Sequence, residues 1–287
     1  MRILVLGGGG YIGSMVSSAL SRIYDVTSED NGSYGLFKYR DVKNLHSRYL
    51  HGFDRIIWLC GYSSVSMCIK DPFSARYQNV TLFEELLKKL KNWEGIFYYA
   101  STASVYGKCF GYATEADSLP TPVDIYDETK QLAEEIASHS YLRTVGLRLG
   151  TVCGFSYNFR NDIFFNSFFL KAKNKEGLII SNPETKRGIL ALPDLVDFFV
   201  KNISKEIHTP ILNLCSFNTT IGEIAYYLGS RYKVNISCVN SDPGNYNFYL
   251  SIDHAKTTYD WKPCYTLEKV IDNLDRFNNY AKIGGRQ

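Results

Sequence analysis

Along the first 150 residues the spacing of apolar positions switches repeatedly between a period of two and a period near 3.6. The pattern predicts strands over 2–6, 24–29, 53–60, 95–100 and 144–152. Between them it predicts helices over 12–23, 79–90 and 130–138, the second carrying apolar residues at 80, 82, 83, 86, 87 and 90. Such alternation implies right-handed crossovers and an α/β fold with a parallel, doubly wound sheet. Near residue 153 the rhythm changes. Residues 155–188, rich in Asn and Phe, read as loops with a helix, followed by a helix over 193–203, a strand over 211–215 and a helix over 221–232. The expected division is a sheet domain over 1–152 and a smaller domain over 153–287, with some elements of the second returning to the sheet.

Composition narrows the class of partner. The 287 residues are 45% hydrophobic and 21% charged, with 32 Lys and Arg against 29 Asp and Glu. A net charge of +3 without a run of like charges argues against nucleic acid as a partner. The apolar stretches at 55–60 and 163–170 fall far short of the ~18 residues of a spanning helix, so no membrane partner is expected. Four apolar residues after Arg2 lead straight into glycines, unlike a secretory signal, and a cytoplasmic location is expected. The 7 cysteines are scattered without a Cys-x-x-Cys pair and predict neither disulfides nor a metal site.

Chemistry first shows itself at Gly7-Gly8-Gly9-Gly10-Tyr11-Ile12-Gly13. Glycines at 7, 10 and 13 follow a strand and open a helix, where peptide N–H groups and the helix dipole can receive a pyrophosphate. Gly7, Gly10, Tyr11, Ile12 and Gly13 are therefore candidate dinucleotide contacts of a Rossmann-type sheet. Asp30, twenty residues beyond Gly10 and followed by Asn31, can accept from both ribose hydroxyls while repelling a 2′-phosphate, which favours NAD over NADP.

Tyr-x-x-x-Lys occurs four times, whereas residue frequencies give roughly 1.5 chance matches. Tyr34/Lys38, Tyr39/Lys43 and Tyr265/Lys269 lack chemical context. Tyr126/Lys130 begins a helix 24 residues after Thr102, which ends a strand at the carboxyl edge of the sheet. Spacing four puts both side chains on one helix face, where the ammonium together with a positively charged nicotinamide is expected to lower the phenol pKa, with Thr102 bonding the reacting oxygen.

With these residues in view the chain resembles the extended short-chain dehydrogenase/reductases, in particular the NAD-dependent epimerase/dehydratase group acting on nucleotide sugars. The resemblance spans nearly the whole chain. It rests on the glycine turn, Asp30-Asn31, Leu59-Cys60-Gly61, Asp71-Pro72, Asn79-Val80, residues 101–107 (Ser-Thr-Ala-Ser-Val-Tyr-Gly), Tyr126-x-x-x-Lys130, residues 147–154, Arg187 with Pro193-Asp194-Leu195, and Trp261-Lys262-Pro263. It implies Thr102, Tyr126 and Lys130 as catalytic residues. Lys130, Asp41 and Leu59-Cys60-Gly61 would add to the cofactor contacts, and Thr151, Asn166 and Arg187 to the substrate contacts. It also implies a smaller substrate-binding domain in the second half, and a homodimer through the helices near 79–90 and 126–138.

Departures from the group narrow the reaction. The 4,6-dehydratases place Asp-Glu after the Thr, and decarboxylating relatives keep a Glu at the second of those positions; here Ala103-Ser104 stand there. Hexose 4-epimerases carry small neutral residues at both. Thr151 replaces an Asn of the best-known 4-epimerases, which argues against a simple UDP-galactose assignment. The expected activity is NAD-dependent epimerisation of a nucleotide sugar, most readily at C4. The alternatives are an NAD(P)H-dependent 4-keto-sugar reductase and a non-catalytic dinucleotide-binding protein.

Overall fold

In a computed structural model, which describes residues 1–33, 39–206, 209–239 and 246–283, the predicted strands assemble into one six-stranded sheet. Its first half comprises β1 (Arg2–Leu6), α1 (Tyr11–Leu20), β2 (Asp25–Glu29), α2 (Ser47–Leu50), β3 (Arg55–Trp58), α3 (Val65–Lys70), α4 (Pro72–Arg76), α5 (Leu82–Lys89), β4 (Ile96–Thr102), β5 (Lys108–Ala113), α6 (Ile125–Ser138) and β6 (Arg143–Leu149). Then follow β7 (Thr151–Cys153), α7 (Phe164–Lys173), β8 (Leu178–Ser181), β9 (Lys186–Ala191), α8 (Leu192–Asn202), β10 (Ile211–Leu214), β11 (Phe217–Thr220), α9 (Ile221–Tyr232), β12 (Ile236–Val239), β13 (Asn247–Leu250), α10 (Asp253–Tyr259) and α11 (Leu267–Ile283). The Tyr34/Lys38 pair lies outside the described residues.

The sheet order is β10-β6-β4-β3-β1-β2, with every pairing parallel. Strand order reverses between β1 and β3, and at such a reversal the connections diverge to opposite faces, leaving a crevice at the carboxyl ends. That crevice lies between the glycine turn after β1 and Leu59-Cys60-Gly61 after β3. Alternate side chains supply two cores. Ile3, Val5, Ile57, Ile96 and Tyr98 pack with α1, α8 and Tyr259 on one face. Leu4, Leu6, Ile56, Trp58, Phe97 and Tyr99 pack with α5 and α6 on the other.

The chain after Cys153 contributes to both parts. β10 completes the sheet beside β6, and α8 packs into the first core. The segment 155–188 is more ordered than its composition predicts: α7 and β8 share a third core with α9 and α11, built on Phe165, Phe169, Leu178, Ile224, Leu228 and Ile271. The helix predicted over 79–90 begins as a π turn over Tyr77–Thr81. There Asn79 is buried, accepting from Tyr62 N–H at 2.8 Å and donating to the Tyr62 carbonyl at 3.1 Å and Thr129 Oγ1 at 3.0 Å. Among the described residues no helix is long and apolar enough to cross a membrane.

Candidate active site

Gly7 ends β1 at φ +82°, its N–H bonded to the Glu29 carbonyl at 2.9 Å. A Cβ on Gly7 would lie 2.7 Å from the Leu59 carbonyl oxygen, and one on Gly13 would lie 2.1 Å from that of Gly7. Both positions thus require glycine, because the turn touches the end of β3 and the first turn of α1 at once. Gly10 caps α1 without any side-chain hydrogen bond, and no acidic residue sits in the first turn. The leading N–H groups of the helix therefore remain uncapped.

All the predicted cofactor contacts except Lys130 line one cavity of about 520 Å³: Gly7, Gly10, Tyr11, Ile12, Gly13, Asp30, Asn31, Asp41, Leu59, Cys60 and Gly61. The oxygens of Asp30 each accept one backbone N–H at 2.9 Å, from Gly9 and from Gly32. Asp41 accepts from Lys43 N–H at 3.1 Å and pairs with its ammonium at 3.5 Å.

The opposite wall, residues 158–162, carried no signal in the sequence. It belongs to a strap that crosses the glycine turn after β7. Ser156 Oγ donates to the Tyr11 carbonyl at 2.6 Å, Asn158 Nδ2 to the Gly9 carbonyl at 2.9 Å, and Arg160 to Ser63 Oγ at 2.6 Å. Asn166 holds this strap from within. It is fully buried, accepting from Gly154 N–H at 3.1 Å and donating to the Arg160 carbonyl at 2.9 Å and Tyr11 Oη at 3.3 Å. Its polar atoms are thus engaged inside the protein, at the residue the resemblance makes a substrate contact. The Tyr11 hydroxyl donates to the Gly154 carbonyl at 2.7 Å, and burial pushes its pKa well above the usual phenol value.

Thr102, Tyr126 and Lys130 meet at the carboxyl end of β4. The sequence arranges this locally: Thr102 ends the strand, Asp124 caps α6 by accepting from Asp127 N–H at 3.1 Å, and one helical turn separates Tyr126 from Lys130. The Tyr126 hydroxyl faces Thr102. Lys130 Nζ donates to the Ala100 carbonyl at 3.0 Å and lies 5.9 Å from the Tyr126 ring centre.

Burial sets the charge state of this pair in the protein alone. Burial pushes the Tyr126 phenol up to about 12, outweighing the Arg160 charge, which lowers it. Burial likewise brings the Lys130 ammonium down to about 8. Desolvation of each group dominates in the protein alone, before the positive charge of a nicotinamide is in place.

The remaining substrate candidates lie on the small sheet β11-β9-β7. Thr151 pairs with Ile189 in β9, and Arg187 stands two residues before Ile189. Arg187 donates to the Lys186 carbonyl at 2.9 Å and the Tyr246 carbonyl at 2.5 Å, and among the described residues no carboxylate is paired with it. Burial without such a partner brings its pKa down to about 10. Neither these two residues nor the Thr102, Tyr126 and Lys130 group line the cavity itself.

Comparison with known proteins fits this geometry. Over its whole length the chain is similar to a dTDP-4-dehydro-6-deoxyglucose reductase of Escherichia coli, 26% identical with 95% of this chain and 96% of that protein aligned. It is 31% identical to UDP-glucuronate 4-epimerase 4 of Arabidopsis thaliana, over 53% of this chain and 42% of that one. Its fold matches a UDP-glucuronic acid 4-epimerase from Bacillus cereus, solved with UDP-glucuronic acid and NAD, at a TM-score of 0.86 and 23% identity, covering 98% of this chain and 100% of that one. The sequence pattern of the NAD dependent epimerase/dehydratase family matches residues 3–215, and the chain belongs to that family.

Proposed function

We propose that the protein is an NAD-dependent epimerase of a nucleotide sugar, acting at C4 through transient oxidation to a keto sugar. The observation that carries this reading is the meeting of Thr102, Tyr126 and Lys130 beside the cavity, with small uncharged residues at 103 and 104. The cavity fits a dinucleotide. Uncapped N–H groups of α1 suit its pyrophosphate, and the Asp30 oxygens retain lone pairs for ribose hydroxyls. Bound there, NAD would supply a reversible hydride acceptor for the sugar carbon.

Tyr126 takes the proton of the reacting hydroxyl and gives it back, Thr102 orients that oxygen, and Lys130 favours the phenolate. Arg187, a half-buried cation with backbone partners, suits the substrate diphosphate, and Thr151 lies beside it. The strap over the glycine turn favours a cofactor retained through turnover, as epimerisation needs. The carboxylates that dehydratases carry at 103 and 104 are absent.

The second reading, a keto-sugar reductase, has the full-length similarity to the Escherichia coli reductase in its favour. One experiment separates the two. The cofactor released on denaturation is identified by mass, and the native protein is then offered UDP-, dTDP-, GDP- and CDP-hexoses. Retained NAD with epimer formed in the absence of added cofactor supports the epimerase. Consumption of added NADPH by a keto sugar supports the reductase.

The assembly we propose is a homodimer in which α6 and the helical run leading into α5 pair across a two-fold axis. Ile69, Phe73 and Tyr77 repeat at four-residue spacing on that run and are 62%, 83% and 38% exposed. Arg76 beside them pairs with Glu128 of α6 at 2.8 Å. This apolar stripe is unusual on a polar surface and suits an isologous contact.

A further inference from the structure

A phenol near 12 is a poor base, so Tyr126 needs somewhere to send its own proton. The hydrogen bonds around it supply a direction. Ser104 Oγ donates to Asp127 Oδ1 at 2.6 Å, so its single proton is engaged there. The 2.9 Å bond between Thr102 Oγ1 and Ser104 Oγ must then be donated by Thr102. Thr102 faces the Tyr126 hydroxyl, and with its own proton engaged on Ser104 it can only accept there. Every donor in the chain Tyr126–Thr102–Ser104–Asp127 points toward one carboxylate, which is 2% exposed.

That carboxylate has room for a proton. The Tyr246 hydroxyl lies 2.9 Å from Asp127 Oδ2 and 2.6 Å from Asp124 Oδ2. Two acids face one hydroxyl with one proton, so one of the two oxygens lacks a donor. Among the described residues, Asp124, Tyr246, Ser104, Tyr126 and Cys68 are the polar or titratable groups facing Asp127, and none of them is cationic. Burial accordingly raises the Asp127 carboxyl to about 6. An alcohol losing hydride becomes a strongly acidic protonated carbonyl, and a carboxylate of this kind can hold the proton it sheds.

We propose that Ser104 and Asp127 are positioning residues that extend the catalytic group into a proton relay, with Asp127 as its store. This rests on the epimerase reading. As the sugar carbon is oxidised by NAD, its hydroxyl O–H breaks and a Tyr126 O–H forms. The former Tyr126 proton passes to Thr102, that of Thr102 to Ser104, and that of Ser104 to Asp127. On reduction each proton returns by the reverse path, so nothing is gained or lost over a cycle. The relay places behind Ser104 a carboxylate that residues 103 and 104 do not provide.

Ser104→Ala breaks the relay while leaving the Asp127 charge, and Asp127→Asn removes the store. Single-turnover reduction of bound NAD by UDP-glucose or UDP-glucuronate should fall about 10²-fold in each, the lower end for a positioned acid–base group. The double variant should be no slower than either single one. Unmodified protein should lose rate as pH falls through about 6, and both variants should lose that limb. Ser104→Thr should restore rate and limb together. An Asp127→Asn effect without any Ser104→Ala effect would mean that the carboxylate acts only through its charge, and would overturn the relay.

A second readout needs no sugar. With NAD bound and aspartate carboxyls ¹³C-labelled, Asp127 should titrate near 6, and Ser104→Ala should raise that value by removing a donor. Titration near the ordinary Asp value of about 3.9, unmoved by Ser104→Ala, would also overturn the relay. Failure of the unmodified protein to turn over any nucleotide sugar would count against the epimerase reading, and the titration would still decide the relay.

Discussion

Replacing Lys130 by Met should make the protein more stable and nearly inactive at once. Lys130 is 7% exposed, and burial lowers its ammonium from 10.5 to about 8. At 1.36 kcal/mol per unit, keeping that charge in the folded state costs about 3 kcal/mol at neutral pH. Methionine occupies a similar volume without the charge, but it abandons the 3.0 Å bond to the Ala100 carbonyl, worth about 1–2 kcal/mol. The balance is a gain of about 1–2 kcal/mol. In a chain of this size that raises the melting temperature by about 2–6 °C.

The pH dependence identifies the cause. Below pH 8 the lysine is charged in both folded and unfolded chains, and the full cost is present. Between pH 8 and 10.5 the folded protein gives up the proton first, so the unmodified protein gains stability relative to the unfolded chain and the advantage of the variant shrinks. Melts of cofactor-free protein at pH 7 and pH 10 measure this directly. Turnover should fall in the same variant, because the phenolate loses its cation. A variant less stable than the unmodified protein at pH 7, by a margin that does not change with pH, would refute the reasoning. Lys130 would then be an ordinary packing residue.

Three other outcomes test other parts of the site. Tyr126→Phe should cut turnover by about 10²–10⁴-fold while NAD stays bound, since only the titrating hydroxyl is lost; single-turnover absorbance of reduced nicotinamide measures it, and an unchanged rate would discard the catalytic assignment. Asp30→Ala should erode a preference for NAD over NADP, read by titrating both cofactors, and tighter binding of NADP by the unmodified protein would contradict the role given to Asp30. Phe73→Glu should convert the proposed dimer to monomer in light scattering, because a charge replaces the most exposed side chain of the apolar stripe; a monomeric unmodified protein at micromolar concentration would end that reading.

What the sequence disclosed about this site follows the range of the interactions concerned. The glycine turn, Asp30 and the Tyr126/Lys130 pair are each set by one turn or one helix, where spacing alone determines which groups meet. The strap was hidden because Ser156 and Asn158 act on Tyr11 and Gly9, 145 and 149 residues earlier. No period in the chain marks such a contact. Most of the unpredicted strands are four residues long, like β8 and β12, and gain their backbone partners only from each other.

Asp127 was hidden for a different reason. Next to a tyrosine on an amphipathic helix, an acid in the first turn has a sufficient explanation in the helix dipole, and nothing in its spacing distinguishes a solvated residue from a buried one. What distinguishes Asp127 is its surroundings: Ser104 arrives from the turn after β4 and Tyr246 from the segment before β13, and together they close it off from water. Spacing can predict which residues share a helix face. Whether a carboxylate on that helix keeps an ordinary pKa depends on what the rest of the chain packs against it, and here that packing turns a first-turn acid into a group able to hold a proton.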